Sequence, residues 1–341
     1  MAQGVEHGGN FMAAAKAYGF DPAEVIDLST GIAPYSYPID GVDLTARHWR
    51  DLPQTETEHA LMDQMTSHWG CDSSANVMLA PGSGLIISLA GFLRPKTTVM
   101  IPDPAYSEHE IAWRHKGHAV VTYPAGDIPT LTDDARVVIA IQPGNPTGHI
   151  NPPQDWDGLI DELAGRDGLL VVDEAYIDLM PDNSLLSRGG RKGLLVIRSF
   201  GKFYGLAGLR LGAAVGHADD IHTLKQIMGP WAVSTPALEI GLKAMTDRAW
   251  ANQQRQRLAG DMARLTAMMT EAGLTPYGGT NLYLLIQDND AKTLHQHLAR
   301  HGIWTRVFTY NPEWIRFGLP AHEGEWNRLQ SALTSWRQDG N

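Results

Sequence analysis

The chain has 341 residues, 43% of them hydrophobic and 19% charged, with a formal net charge of −11 at pH 7. This length supports one large domain and a smaller one, and the composition is that of an ordinary globular protein. The acidic balance excludes non-specific nucleic-acid binding, which needs a basic face, yet leaves room for a phosphorylated small molecule held by local cations.

No basic segment followed by an apolar run opens the chain, so no signal peptide is expected. Residues 1–34 are polar and Gly-punctuated, with a short helix predicted over 11–18. A helix over 55–69 leads to Cys71, the only cysteine, which precludes an intrachain disulfide and fits a reducing cytosol. A short strand follows at 77–80. Short apolar runs predict further buried strands at 97–101, 119–123, 137–141, 169–172, 194–197 and 211–215. Helical patterns fall between several of them, as at 106–116 and 156–163. Such alternation implies an α/β fold with a mostly parallel sheet covered on both faces.

After residue 236 the texture changes. A long helix rich in Arg and Gln is predicted over 238–272, then a strand at 281–286, a helix at 291–301, a strand at 314–318 and a final helix at 323–337. This reads as a smaller α+β domain. The expected division is a large domain over 35–235, a small C-terminal domain over 236–341 and an N-terminal arm over 1–34. No apolar stretch is long enough to span a bilayer, and no metal-ligand spacing stands out. A cytoplasmic protein without membrane, metal or nucleic-acid partners is expected.

The chemistry-bearing residues lie in loops after predicted strands, where α/β sheets present side chains to ligands. Lys202 lies in Ser199-Phe200-Gly201-Lys202, just past the apolar run 194–197, with Arg210 eight residues on. A lysine with a hydroxyl before it and an arginine after it suits a Schiff-base lysine holding a phosphorylated aldehyde, pyridoxal phosphate. Such a cofactor also needs an acid opposite its ring nitrogen, a phosphate cup and a group that fixes the substrate carboxylate. Asp173 ends the strand at 169–172 and opens Asp173-Glu174-Ala175-Tyr176. It is the candidate acid, with Tyr176 a donor to the cofactor's 3′-oxygen; an Asp capping a helix is the plainer alternative. Asn145, in Gln142-Pro143-Gly144-Asn145-Pro146-Thr147-Gly148, is a candidate for the same oxygen or part of a plain turn. Pro81-Gly82-Ser83-Gly84 precedes an apolar helix whose N-terminus can hold an anion. Ser199 and Arg210 are candidates to complete that cup, since a guanidinium donates two hydrogen bonds to a phosphate at once. Tyr106 is a candidate to stack on the ring, or else a core aromatic. Arg316 lies within the apolar strand Trp314-Ile315-Arg316-Phe317-Gly318, where a charge is costly unless paired. A substrate carboxylate or a structural ion pair would meet that need.

As a set, these motifs resemble the fold-type I pyridoxal-phosphate enzymes of the class I/II aminotransferase family, over nearly the whole chain. The nearest relatives by motif are the histidinol-phosphate aminotransferases and the threonine-phosphate decarboxylases of cobalamin synthesis. The opening His7-Gly8-Gly9-Asn10 and the stretch Val25-Ile26-Asp27-Leu28-Ser29-Thr30-Gly31-Ile32-Ala33-Pro34 resemble the decarboxylases. The resemblance implies that His7, Gly8 and Arg306 hold a substrate phosphate and Arg316 its carboxylate. Asn145 and Gly31 would add substrate contacts, although many relatives carry Asn where Gly31 stands. It also implies a homodimer. Leu52-Pro53-Gln54 stands where relatives carry a tyrosine that reaches the partner's cofactor, and Gly144 replaces a usual Asn. The expected activity is decarboxylation of a phosphorylated amino acid; transamination is the alternative.

Overall fold

A computed structural model of the protein describes residues 8–71 and 73–338. The chain forms two compact units: Ser36–Ala251, and the described residues up to Tyr35 together with those from Asn252 on.

The larger unit is built on a seven-stranded sheet. In spatial order its strands are Val77–Ala80, Gly212–Gly216, Leu194–Ser199, Leu169–Asp173, Ala135–Ile141, Thr98–Asp103 and Ala119–Pro124. Gly212–Gly216 runs antiparallel to both of its neighbours; the other pairs are parallel. The sequence predicts these strands because they are short apolar runs, the pattern of strands covered on both faces; Ala119–Pro124 differs, an edge strand that is largely exposed and not the buried strand expected. Every residue of Leu169–Asp173 and Leu194–Ser199 is buried. Trp113 and Trp156 are among the largest fully buried side chains. The helix Ser83–Ala90 packs on two of these strands and on the helix Ser107–His115.

This topology gathers loops at one edge of the sheet. Ala80, Asp103, Ile141, Asp173 and Ser199 all end strands that run the same way. The loop after Ser199 is anchored on both sides of Lys202, because Phe200, Phe203 and Tyr204 are buried. Tyr204 stacks on Trp250 with centroids 5.7 Å apart and planes 10° from parallel. Its carbonyl accepts from the Tyr37 N–H at 2.8 Å.

One predicted helix is in fact two. In place of a single helix over 238–272 the chain forms Thr235–Thr246 and Arg248–Glu271. Asp247 leaves the helical region and its Oδ1 accepts from the Trp250 N–H at 2.9 Å, an N-cap for the second helix. No Gly or Pro marks this one-residue break, so the sequence reads as one continuous helix. The first of the two helices packs against Thr55–Trp69 within the larger unit. The units therefore meet in sequence at 251/252, not at the 235/236 step expected from the change in texture.

The smaller unit carries a four-stranded antiparallel sheet, ordered Arg306–Phe308, Asn311–Phe317, Tyr283–Gln287 and Thr275–Thr280. The helices Ala291–Arg300 and Glu323–Gln338 pack with each other, and Ala291–Arg300 packs on Asn311–Phe317. Ile26–Asp27 pairs in parallel with Ile303–Trp304, so the N-terminal segment joins this unit. Gly318 donates its N–H to the Leu28 carbonyl at 2.7 Å. A Cβ on Gly318 would lie 2.6 Å from the Thr30 carbonyl oxygen, so only glycine permits that approach.

Gly212 has a similar constraint in the larger unit. A Cβ there would lie 2.5 Å from the Ser83 nitrogen and 2.7 Å from the Gly82 carbonyl carbon, both backbone atoms that cannot yield cheaply. Gly212→Ala should therefore destabilise the protein by about 1–3 kcal/mol, the usual scale of overpacking. Chemical denaturation checks it, and a change within error of zero would contradict the packing described.

Candidate active site

Three adjacent strands bring the candidate phosphate-holding residues to one edge of the sheet. Gly212 pairs with Ala80 on one side and with Ser199 on the other. The Gly82-Ser83-Gly84 turn, Ser199 and Arg210 are thereby brought to one sheet edge. Gly82 has φ +85° and caps the helix Ser83–Ala90, whose first-turn N–H groups have no partner within the helix. Arg210 is itself left-handed, with φ +54°, a conformation that bulky residues adopt at a cost and that clusters at functional sites. A Cβ on Gly82 would lie 2.6 Å from Arg210 Nη2, so the guanidinium occupies the space that the glycine leaves. Ser199 Oγ accepts from the Gly201 N–H at 3.2 Å, which fixes the turn entering Lys202.

The remaining candidates lie at the next strand ends. Asp173 is 6% exposed, and its Oδ1 accepts from the Ala175 N–H at 3.1 Å. Its Oδ2 lies 3.1 Å from Nε2 of His109, which is 1% exposed. Tyr176 is buried, and Lys202 Nζ lies 5.5 Å from the centre of its ring. Tyr106 precedes the helix that carries His109, and the two rings meet edge to face at 6.3 Å. Burial pushes the Tyr106 hydroxyl up to about 12, with further upward contributions from Glu108, Asp173 and Tyr176 and an opposing one from Arg210. Those contributions place Tyr106 within electrostatic reach of three other candidates. Asn145 is half-buried in a loop tied by Gly144 N–H to His149 O at 2.7 Å and by Gly148 N–H to Gly144 O at 2.6 Å. The Gln142 N–H donates to the Asp173 carbonyl at 2.9 Å, joining that loop to the acid.

His109 escaped the sequence reading. Its signal is its place three residues after Tyr106, on the first turn of a helix, but only the fold shows that the turn faces Asp173. A second missed group lies beside Asp173. Glu174 is fully buried and accepts from Ser184 Oγ and the Leu185 N–H, both at 2.6 Å. Burial pushes its carboxyl up to about 7, against the pull of Arg198 and these two donors.

Apart from Asn145, the described substrate candidates belong to the smaller unit. Arg316 is 7% exposed; its Nη2 donates to the Ser29 carbonyl at 2.7 Å and its guanidinium lies 5.0 Å from the Tyr283 ring centre. Arg306 is the direct cross-strand partner of Arg316. Two cationic side chains thus stand at facing positions of the sheet. Gly8 packs on the Ser29 carbonyl, where a Cβ would come within 2.5 Å of the oxygen, and Gly9 N–H donates to Ser29 Oγ at 2.8 Å. Gly31 is buried two residues further on. The segment at Ser29 thus brings Gly8 and Arg316 together. His7 lies outside the described residues.

The family model for aminotransferase class I and II matches residues 23–329. The chain belongs to this family. It is 36% identical to the threonine-phosphate decarboxylase of Pseudomonas aeruginosa, with 98% of each chain covered. It is 35% identical to that of a Sinorhizobium species, again with 98% of each covered. Among solved structures, the histidinol-phosphate aminotransferase of Sinorhizobium meliloti in complex with pyridoxal-5′-phosphate matches with a TM-score of 0.86 at 20% identity. That match covers 99% of this chain and 97% of the other. At that identity the likeness speaks for the fold.

Two outcomes follow from the buried carboxylates. His109→Phe keeps a ring but strips Asp173 of a partner, and should cost about 1–3 kcal/mol of stability in urea denaturation. A raised carboxyl means that the folded protein binds more protons than the unfolded chain between the ordinary Glu range and about pH 7. Stability from Glu174 is therefore fully present below that window and lost as pH rises through it. Glu174→Gln should flatten that part of the Tm–pH profile; an unchanged profile would refute the assignment.

Proposed function

We propose that this chain decarboxylates L-threonine O-3-phosphate to (R)-1-amino-2-propanol O-2-phosphate, using pyridoxal phosphate, in the aminopropanol arm of cobalamin biosynthesis. The observation that carries this reading is the pair of relatives named threonine-phosphate decarboxylase, at 36% and 35% identity across 98% of the chain. The residues fit the cofactor. The Arg210 guanidinium packs where a Cβ at Gly82 would sit, beside the start of the helix Ser83–Ala90, and a buried carboxylate with a histidine behind it lies at a neighbouring loop.

When bound, pyridoxal phosphate supplies an aldehyde for the substrate amine and an electron-withdrawing ring that stabilises a carbanion at Cα. Gly82, Ser83, Gly84, Ser199 and Arg210 would hold its phosphate, and Tyr106 would cover the ring face. Asp173, backed by His109, would hold the ring nitrogen, Asn145 and Tyr176 would donate to the 3′-oxygen, and Lys202 would bind the aldehyde and serve as proton donor to the substrate Cα. Arg316 fixes the substrate carboxylate, and Arg306 with His7 and Gly8 fixes the substrate phosphate; Asn145 and Gly31 border the substrate. Binding energy from that remote phosphate orients the carboxylate for loss, which separates decarboxylation from proton abstraction at Cα. On the same reading the protein works as a homodimer in the cytoplasm.

The test is direct. Protein mixed with threonine phosphate should release carbon dioxide with no 2-oxo acid present. Amino transfer to 2-oxoglutarate without carbon dioxide would overturn the reading and favour a histidinol-phosphate-type aminotransferase. Lys202→Ala should abolish both carbon dioxide release and the visible absorption of lysine-bound cofactor. Arg306→Ala should raise KM for the phosphorylated substrate roughly tenfold to a hundredfold, the value of a charge-assisted hydrogen bond.

A further inference from the structure

A buried ionic cluster lies beside the candidate cofactor residues and plays no part in the chemistry just described. Arg198 is 3% exposed; its Nη2 bonds Asp178 Oδ1, and its Nη1 lies 3.5 Å from Oε2 of fully buried Glu174. Its guanidinium also lies 4.9 Å from the centre of the Trp69 ring. The groups facing it thus come from three elements: the turn after Asp173, the 3₁₀ turn Ile177–Leu179 and the helix Thr55–Trp69. Glu174 in turn binds Ser184 Oγ and the Leu185 N–H, which ties down the loop beyond.

Such a cluster is a poor source of stability. One cation and two carboxylates leave water together, and well-packed apolar side chains would serve stability as well or better. Arg198 Nε has no hydrogen-bond partner among the described residues, which adds a further cost. The position of the cluster offers another reason for it. Glu174 directly follows Asp173, and Arg198 directly precedes Ser199. Strand alternation sends Arg198 and Ser199 to opposite faces of the sheet. The Glu174 N–H donates to the Ile197 carbonyl at 2.9 Å, and Asp173 pairs with Ile197 in the parallel ladder. The cluster therefore clamps the ends of two strands from behind, at the point where they deliver the candidate ring acid and the turn that carries Lys202.

We infer that Arg198, gripped by Glu174 and Asp178, is a positioning residue that sets Asp173 and the Ser199–Lys202 turn at the spacing the cofactor requires. The inference rests on the cofactor reading above and adds to it a group that never touches the cofactor. It separates the stability of the strand ends from their placement.

The experiment replaces the cluster with uncharged side chains of similar size, Arg198→Met with Glu174→Gln and Asp178→Leu, in the full-length chain, so that Leu185 keeps an acceptor. Three quantities are read: Tm of the apoprotein, affinity for added pyridoxal phosphate from quenching of tryptophan fluorescence, and circular dichroism of the bound cofactor. The expected result is a Tm at or above wild type, cofactor affinity weakened about tenfold, the scale on which supporting residues tune a bound group, and an altered cofactor dichroism. Recovery of wild-type Tm, affinity and dichroism together would overturn the inference, because the cluster would then be structural only. If the triple variant fails to fold, Glu174→Gln decides. It keeps the shape and an acceptor for Leu185, and should weaken cofactor binding. Unchanged affinity in that variant overturns the inference. A wild-type protein that binds no pyridoxal phosphate would overturn the cofactor reading itself; binding by wild type with unaffected variants would overturn only the role of Arg198.

Discussion

The parallel pairing of Leu169–Asp173 with Leu194–Ser199 is the constraint on which the larger unit turns. Every residue of both strands is buried, so each side chain is packed on one face or the other and a slip in register would unseat that packing. Once Leu170 faces Leu194 and Asp173 faces Ile197, the chemistry-bearing residues after each strand are fixed within one residue of their places. Gly212–Gly216 then extends the logic on one side and Ala135–Ile141 on the other, so that five separate loops converge on one edge. Hydrophobic burial supplies the free energy, and the polar residues take positions it dictates.

The smaller unit solves a different problem. Two arginines face each other across a strand pair, and one of them is almost wholly buried. The Ser29 carbonyl accepts from the Arg316 guanidinium and the Tyr283 ring lies beside it, which holds the side chain in place.

Much of this was legible in the residues. The strands were readable because buried parallel strands carry no polar interruptions, and Lys202, Asp173 and Asn145 were visible because each follows such a run. What escaped shares one cause: its signal is spatial, not sequential. His109 lies among the polar residues of an amphipathic helix, and nothing local distinguishes it from His115 on the same helix. Arg198 and Glu174 read as ordinary strand-end charges until the fold shows both to be buried. The break at Asp247 carries no Gly or Pro, and its signal is the cap that Asp247 makes to Trp250, which only the fold shows. The separation of the units at 251/252 depends on which neighbour a helix packs against, and hydropathy does not carry that information.

The contact between Tyr37 and Trp250 has a consequence of another kind. These residues stand at the two ends of the larger unit, and their rings meet edge to face with centroids 5.0 Å apart. In terms of chain architecture, the larger unit is an insertion whose entry and exit are neighbours. Its ends could be joined by a short linker and new termini opened at an exposed loop elsewhere, since segments with adjacent ends accept circular permutation. The order of residues along the chain would then change while the ladder that positions Lys202 stayed as it is.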